Sequence, residues 1–378
     1  MKVGIITTSR ADYGIYRSLL EALSKEEKVE YGLLVSGTHL SGAHGYTVED
    51  IISDGHPIWS RLPLELTGDR PQDIAVATAK ATRLFANTYA TLPNLDILIA
   101  LGDRYEMFAA VAAAIPFNLP VAHLHGGETT LGAIDDKYRH AVTMMSDIHF
   151  TATRAYGERV STMTGSDRVF YVGAPSLDGI RELDLPSTQQ LLDRFAVDFA
   201  LPTVLVTFHP ETVAHTDNET HLSILADVII ELSGRYQIVV SLPNADTGAS
   251  VLRAGLLDLT EDYTSVYCIE HFGKLNYFAA MRDASFMMGN SSSGIIEAAS
   301  FCRYVINLGD RQTGRARSGN VIDVTIDRDV ILSAVMDIER SGYIYKGSNV
   351  YYKDGQAGAN IVKYITEIFI GQTIQYVR

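Results

Sequence analysis

The sequence predicts an α/β protein made of two doubly wound, Rossmann-type domains. Three observations carry that expectation. Apolar runs of strand length alternate with helix-period segments. The runs are apolar throughout rather than alternating, as in parallel strands covered on both faces. The alternation also breaks once, at PSLDGIRELDLPSTQQ (175–190), which carries two prolines and a charge cluster, and then restarts. A length of 378 residues exceeds one ordinary core and suits two.

In the first half the expected strands are KVGIITT (2–8), YGLLVSG (31–37), DILIALG (96–102), PVAHLH (120–125), IHFTAT (148–153) and VFYVGA (169–174). YGIYRSLLEALSKE sets Ile15, Leu19, Leu20 and Leu23 on one helical face, and 73–92 and 104–118 read as further helices. In the second half the strands are TVLVTFH (203–209), QIVVSLP (237–243), SVYCIE (265–270), SFMMGN (285–290) and RYVINLG (303–309), with helical patterns at 219–235, 249–262, 274–284 and 329–342. The expected domains are therefore 1–175 and 176–356, with the last helix, in 357–378, packing back on the first. Ligands of such sheets bind beyond the carboxyl ends of the strands, so the cleft between the domains is the expected site.

Composition narrows the function. The formal charge of −14 argues against a nucleic-acid or anionic-membrane partner, and an anionic ligand would need local positive charge. Only two cysteines occur, Cys268 and Cys302, both in apolar runs. They suggest buried thiols in a reducing cytoplasm and provide neither a disulfide framework nor a cysteine-rich metal site. MKVGIITTSR is too short in its apolar part for a signal peptide, and no uncharged apolar run is long enough to span a membrane.

The unusual polar clusters follow expected strands. TTSRADYG lacks the GxGxxG fingerprint, which argues against a nicotinamide cofactor there. Its Arg10 and Asp12 suit a helix start, with Asp12 near the positive end of the dipole, or place both residues at the substrate, with Arg10 on an anionic ligand. In LGDRYE, Asp103 is a helix cap or an acid–base group, and Arg104 and Glu106 suit a surface pair. VAHLHGGETTLGAIDDKYRH (121–140) crowds His123, His125, Glu128, Asp135, Asp136, Arg139 and His140 at the mouth of one apolar strand. Arg139 and His140 alternatively only support the following helix. His209 ends a strand before Pro210 and is a core histidine or a ligand group. SLPNADTGAS is turn chemistry first, with Asn244 and Asp246 near a ligand.

FMMGNSSSGIIEAASF is the sharpest signal. Ser291, Ser292, Ser293 and Gly294 follow a strand and precede a helix expected from Ile295. Amides at a helix start backed by hydroxyls form an anion site, for which pyrophosphate is the natural guest. Three serines exceed what capping needs. Glu297 then lies one turn on, within reach of a ribose diol. Arg311, Arg315 and Arg317 on the next loop add local positive charge. Together these clusters point to a nucleotide sugar with acid–base chemistry on the sugar.

TTSRADYG, LGDRYE, HLHGGETTLGAIDDKYRH, FHPET, SLPNADTG, GNSSSGIIEA and GDRQTGRARSGNVIDV, in that order over residues 1–330, resemble the hydrolysing UDP-N-acetylglucosamine 2-epimerases of sialic-acid synthesis and their relatives. The resemblance implies a glycosyltransferase-B-like fold with UDP in the second domain and no metal or redox cofactor. It implies conversion of UDP-GlcNAc and water into N-acetylmannosamine and UDP, through loss of UDP to a 2-acetamidoglucal and its hydration. It gives proton transfer to Asp103, Glu128 and Asp135, and β-phosphate stabilisation to Arg10, His209 and the serine amides. Ser292, Ser293 and Glu297 match phosphate and ribose contacts, Arg315 the loop arginine, and Tyr277 or Phe278 a uracil-facing ring. A homodimer or homotetramer is implied, with helices 73–92 and 104–118 as surfaces. One departure matters: much of the wider family has Glu where His125 stands, leaving the roles of His125, Glu128 and Asp135 open. Alternatives are a hydrolysing 2-epimerase of UDP-2,4-diacetamido-2,4,6-trideoxyglucose in legionaminic-acid synthesis, a non-hydrolysing epimerase, a glycosyltransferase of the same fold and a non-catalytic nucleotide-sugar sensor.

Overall fold

β1 (Lys2–Thr7) opens the chain, with Val3 and Ile5 fully buried on one face and Ile6 on the other. The computed structural model describes residues 1–42, 45–65, 68, 70–92, 94–131, 134–209, 218–242, 249–270 and 272–370. They belong to two compact units, one of 1–128, 135–179 and 351 onward, the other of 129–134 and 180–350.

In the first unit β1 is followed by α1 (Arg10–Ser24), β2 (Glu30–Ser36), α2 (Val48–Ser53), β3 (Ile58–Leu62), α3 (Pro71–Thr91), β4 (Ile97–Leu101), α4 (Tyr105–Ala114), β5 (Val121–Leu124), α5 (Asp135–Met144), β6 (Ile148–Thr151), α6 (Arg154–Thr164) and β7 (Val169–Tyr171). The sheet order is β3-β2-β1-β4-β5-β6-β7, and its pairs are parallel. Each strand feeds two cores because successive side chains point to opposite faces. Val3, Ile5, Leu33, Val35, Ile97, Ile99, Leu124 and Phe150 pack with α1. Ile6, Leu34, Leu98 and Ala100 pack with Phe85 of α3 and Val111 of α4.

The second unit runs α7 (Thr188–Phe195), β8 (Thr203–Thr207), α8 (Asn218–Ser233), β9 (Gln237–Ser241), α9 (Ala249–Asp262), β10 (Val266–Ile269), α10 (Lys274–Asp283), β11 (Phe286–Gly289), α11 (Ser292–Ile296), β12 (Val305–Leu308), β13 (Val321–Val324) and α12 (Arg328–Ser341). Its order is β10-β9-β8-β11-β12-β13, again parallel. Val204, Val206, Ile238, Phe286, Met288 and Ile306 form one face with α8 and α12; Leu205, Val239, Met287 and Val305 form the other with α7 and α10. Finally α13 (Ala357–Phe369) lies on α1 in the first unit, where Ile361 and Ile365 are fully buried.

Both sheets reverse their winding direction once, between β1 and β4 and between β8 and β11. Those are the topological switch points, where α/β sheets bind ligands.

β3 and β13 are not among the expected strands. Both are sheet edges, short and mixed in polarity: IWSRL carries Ser60 and Arg61, and VIDV carries Asp323. An edge strand is half-solvated, so it lacks the apolar run that marks a central one. Cys302 also departs from expectation. It is exposed, ending a short 3-10 turn with a left-handed backbone, and Cys268 is half-buried. Among the described residues no helix is long and apolar enough to cross a membrane.

Truncating Ile361 tests the packing of α13. Ile361→Ala leaves a void against the first core and is expected to cost about 2–5 kcal/mol. Urea denaturation followed by circular dichroism would show it as a lowered midpoint; a midpoint equal to the parent's would mean that α13 contributes nothing to that core.

Candidate active site

In the first unit the turn after β1 is held by a carboxylate. Ser9 caps α1, and Asp12 completes a reciprocal capping box. The Asp12 oxygens accept from the Thr8 N–H and hydroxyl at 2.8 Å each and from the Ser9 N–H at 3.1 Å. Burial alone would raise this carboxyl, but hydrogen bonds from His39 and Thr7 hold it below the usual range. Asp12 is 5% exposed, and its engaged oxygens shape the turn that presents Arg10. Arg10 is half-exposed, 3.9 Å from Asp50.

Across the switch point, β4 ends in Gly102 and Asp103. Arg104 does pair with Glu106, with the arginine half-exposed and the carboxylate fully buried. Asp103 is ion-paired with Arg139 of α5. Arg139 is itself 1% exposed and donates further to Asp136 Oδ1 and to the Glu128 carbonyl, each at 3.1 Å. Arg139 is therefore the hub of this cluster, a role the sequence marks only by its i+3 spacing from Asp136.

β5 delivers the histidines. His123 faces inward, its Nε2 2.9 Å from the Gly102 carbonyl, and burial pushes its pKa down to about 3. It is a neutral structural imidazole. His125 sits just beyond the strand with φ +64. Its Nδ1 lies 2.6 Å from Glu128 Oε1. Gly127 makes that turn feasible: a side chain there would collide with the Tyr156 carbonyl at 2.7 Å. Asp135 opens α5. Burial, reinforced by the charge of Asp103, pushes its pKa up to about 6, against the opposing pull of Arg104 and Arg139. This first unit therefore brings together Asp103, His125, Glu128 and Asp135 around one buried guanidinium.

In the second unit β11 ends at Gly289, whose φ is +140; a Cβ there would lie 1.9 Å from the Thr207 carbonyl. Asn290 follows, fully buried, and acts as a splice. Its Oδ1 accepts the His209 N–H at 2.7 Å, and its Nδ2 donates to the His209 carbonyl at 2.8 Å. Its own carbonyl accepts Arg311 Nη1 at 3.1 Å and Gln312 Nε2 at 2.9 Å. Asn290 thus fixes the end of β8 to the end of β11 through its side chain, and the arginine loop through its main-chain carbonyl. No sequence signal beyond a Gly-Asn at a strand end marks it. His209 is pushed down to about 3 by burial and by Arg311, so it is neutral.

The serine turn is more compact than expected. α11 begins at Ser292, not Ile295, and is one short turn that Glu297 closes as its C-cap. Ser291 is the N-cap, accepting from the Ser293 N–H at 3.4 Å. Tyr277 does not simply offer a ring: its hydroxyl bonds Ser293 Oγ at 2.8 Å and Thr207 Oγ1 at 3.0 Å, bracing the turn. Phe278 is buried against Phe301. Gly294 and Glu297 are buried and Arg315 half-buried. Arg317 is taken up by Asp323 at 3.0 Å and by the Gln312 and Arg315 carbonyls. This unit also includes residues 129–134, where the Leu131 N–H donates to the Thr313 carbonyl at 3.1 Å. Asn244 and Asp246 lie outside the described residues.

The family described as UDP-N-acetylglucosamine 2-epimerase matches residues 21–366. A UDP-N,N'-diacetylbacillosamine 2-epimerase (hydrolyzing) of Legionella pneumophila is 35% identical over 351 residues, covering 93% of this chain and 92% of the relative. The polysialic acid biosynthesis protein P7 of Escherichia coli is 30% identical, covering 99% and 96%. The crystal structure of UDP-GlcNAc 2-epimerase from Neisseria meningitidis bound to UDP-GlcNAc matches with a TM-score of 0.83 at 18% identity, covering 97% of this chain and all of that one. The fold is thus of the glycosyltransferase-B-like class, with two Rossmann-like domains.

Two substitutions probe this geometry. A carboxyl whose folded pKa lies above its unfolded one costs stability as pH rises from the unfolded value to the folded one, so the penalty on wild type builds between about pH 4 and about pH 6 and is full above that. Asp135→Asn avoids ionisation and is expected to be more stable at pH 7 by about 1–3 kcal/mol, the gain vanishing toward pH 4. Melting curves across pH check this; a pH-independent difference would count against it. Gly289→Ala forces a Cβ onto the Thr207 carbonyl and is expected to abolish soluble folded protein or lower the melting temperature by many degrees, measured by expression and calorimetry.

Proposed function

The chain belongs to the UDP-N-acetylglucosamine 2-epimerase family, and on that premise we propose that it is a hydrolysing 2-epimerase of a UDP-linked 2-acetamido sugar. UDP-GlcNAc plus water would yield N-acetylmannosamine and UDP. The observation that carries this reading is the division of chemistry between the two switch points. Proton-handling groups end β4 and β5 and begin α5 in one unit; hydroxyls, amides and arginines end β11 and β12 in the other.

The reaction has two halves. First the C2 proton is removed as the C1–O bond breaks, giving a 2-acetamidoglucal and UDP. The C2 proton is weakly acidic, so its base must be well placed and desolvated. Charge builds on the β-phosphate as UDP leaves. Arg10, the serine-turn amides and Arg315 suit its stabilisation, while the neutral His209 serves as a hydrogen-bonding group rather than a cation. Ser292, Ser293 and Glu297 hold the diphosphate and ribose, and Tyr277 braces them. Water then adds across the double bond, and C2 receives its proton on the other face. Asp135 suits that exchange because its pKa lies near neutrality, with Asp103 and Glu128 assisting.

A second substrate reading is UDP-N,N'-diacetylbacillosamine, the 2,4-diacetamido-2,4,6-trideoxyglucose nucleotide. The 35% identity to the Legionella pneumophila enzyme of that name favours it. The two share the reacting C1–C2 bond and differ at C4 and C6.

Proton NMR in deuterated water with each UDP sugar tests both readings. The expected products are free UDP and a free C2-inverted sugar bearing one deuterium at C2, with no acceptor added. An epimeric nucleotide sugar would instead identify a non-hydrolysing enzyme, and a requirement for an acceptor would identify a transferase.

A further inference from the structure

We propose that His125 is the base that removes the C2 proton, acting through Nε2, with Glu128 behind it as a positioning residue. This deepens the hydrolysing-epimerase reading and rests on it. Three features of the first unit carry the assignment. The imidazole and the carboxylate lie 2.6 Å apart through Nδ1, which puts the Nδ1 proton on the Glu128 side and the lone pair on Nε2. His125 Nε2 is buried and has no hydrogen-bond partner among the described residues. A buried acceptor without a partner is costly and calls for a reason. Finally, His125 holds φ +64, a region few non-glycine residues occupy, pinned by its N–H to the Phe150 carbonyl at 3.0 Å. Backbone strain of this kind gathers at functional positions.

Accessibility separates the two partners. The Glu128 side chain is 2% exposed and that of His125 10%, so of the two it is the imidazole that lies nearer the surface, with Nε2 itself still shielded from water. The arrangement is a carboxylate–imidazole pair in which the carboxylate orients the ring and stabilises the imidazolium that forms.

The chemistry balances with two groups. Inversion at C2 requires the proton to leave from one face and return to the other. In the elimination, Nε2 takes the C2 proton and the C–H electrons become the C1=C2 bond. The C1–O pair leaves with the β-phosphate of UDP. In the hydration, a neutral carboxyl gives its proton to C2 and water bonds to C1. The water's proton passes to the carboxylate just formed, and His125 loses its proton to solvent. Asp135 suits the acid role, since burial beside Asp103 favours its protonated form. A neutral imidazole is the stronger base, a neutral carboxyl the stronger acid, so the two halves divide between them.

The half-reactions separate the roles. Full-length wild type, His125→Gly, Glu128→Gln and Asp135→Asn are assayed by proton NMR in deuterated water, with the UDP sugar and, separately, with prepared 2-acetamidoglucal. Glycine fits φ +64 without strain and leaves an imidazole-sized space. His125→Gly is expected to lose at least 100-fold in UDP release, to hydrate the glucal within a few-fold of wild type, and to regain at least tenfold on adding free imidazole. Glu128→Gln is expected to lose about tenfold and to move the acid limb of its kcat/KM profile to lower pH. Asp135→Asn is expected to release 2-acetamidoglucal. UDP release by His125→Gly near the wild-type rate overturns the proposal. So does loss of both half-reactions without imidazole rescue. Failure of the wild type to form free UDP and free sugar from either nucleotide sugar overturns instead the reading on which the proposal rests.

Discussion

A guanidinium with almost no solvent sets the terms for the first unit. Arg139 is 1% exposed, and an unpaired charge there would be untenable. Its partners are therefore obligatory. Asp103 comes from the end of β4, Asp136 from the same helix, and the Glu128 carbonyl from the loop after β5. The end of β4, the residue after the β5 turn and the first turn of α5 converge on one cation. Removing any partner would leave charge uncompensated, so the positions of Asp103 and of the Glu128 carbonyl follow from neutralising Arg139. The same arrangement raises Asp135. Arg139 neutralises Asp103 only in part, and the remaining negative field, added to burial, disfavours a second carboxylate nearby.

The second unit solves an equivalent problem without charge. The ends of parallel strands expose backbone groups with no ladder partner. Asn290 satisfies two of them on His209 at once, using both ends of its amide. Its own carbonyl then receives Arg311 and Gln312. Amide and carbonyl together tie the ends of β8 and β11 and the arginine loop into one rim beside the serine turn. Gly289 is required beside it because the rim passes too close to Thr207 for any side chain. On the proposed reading such rigidity would serve a phosphate, since amides aimed in advance lose nothing to reorganisation.

The fold was readable because the central strands are apolar on both faces and the connecting helices amphipathic. Edge strands β3 and β13 were not, since half-solvated strands carry Ser60, Arg61 and Asp323 where the pattern wants apolar residues. The clusters at strand ends were readable as residue types. Their division into ligand and scaffold was not. Asp12 suited both a helix start and a substrate contact, and its oxygens close the turn it begins. Tyr277 looked like a ring to stack on, yet its hydroxyl ties down Ser293. Arg139 and Asn290 matter through partners 36 and 81 residues away, and no local pattern encodes contacts at that range.

The charge balance shows why local structure, not composition, decides what such a surface attracts. The chain is acidic by 14 charges, which taken as a uniform field would repel a nucleoside diphosphate. Screening limits that field to roughly 8 Å at physiological salt, so a phosphate responds mainly to its immediate neighbours. Among those neighbours not every arginine is available: Arg317 is committed to Asp323 and to two carbonyls, and Arg311 braces the Asn290 rim. The loop's cluster of guanidiniums is thus a weaker positive site than its count suggests, and much of it is architecture. On the proposed reading, charge development on a leaving phosphate would then fall largely to oriented backbone N–H groups and hydroxyls, for which the serine turn braced by Tyr277 is the candidate.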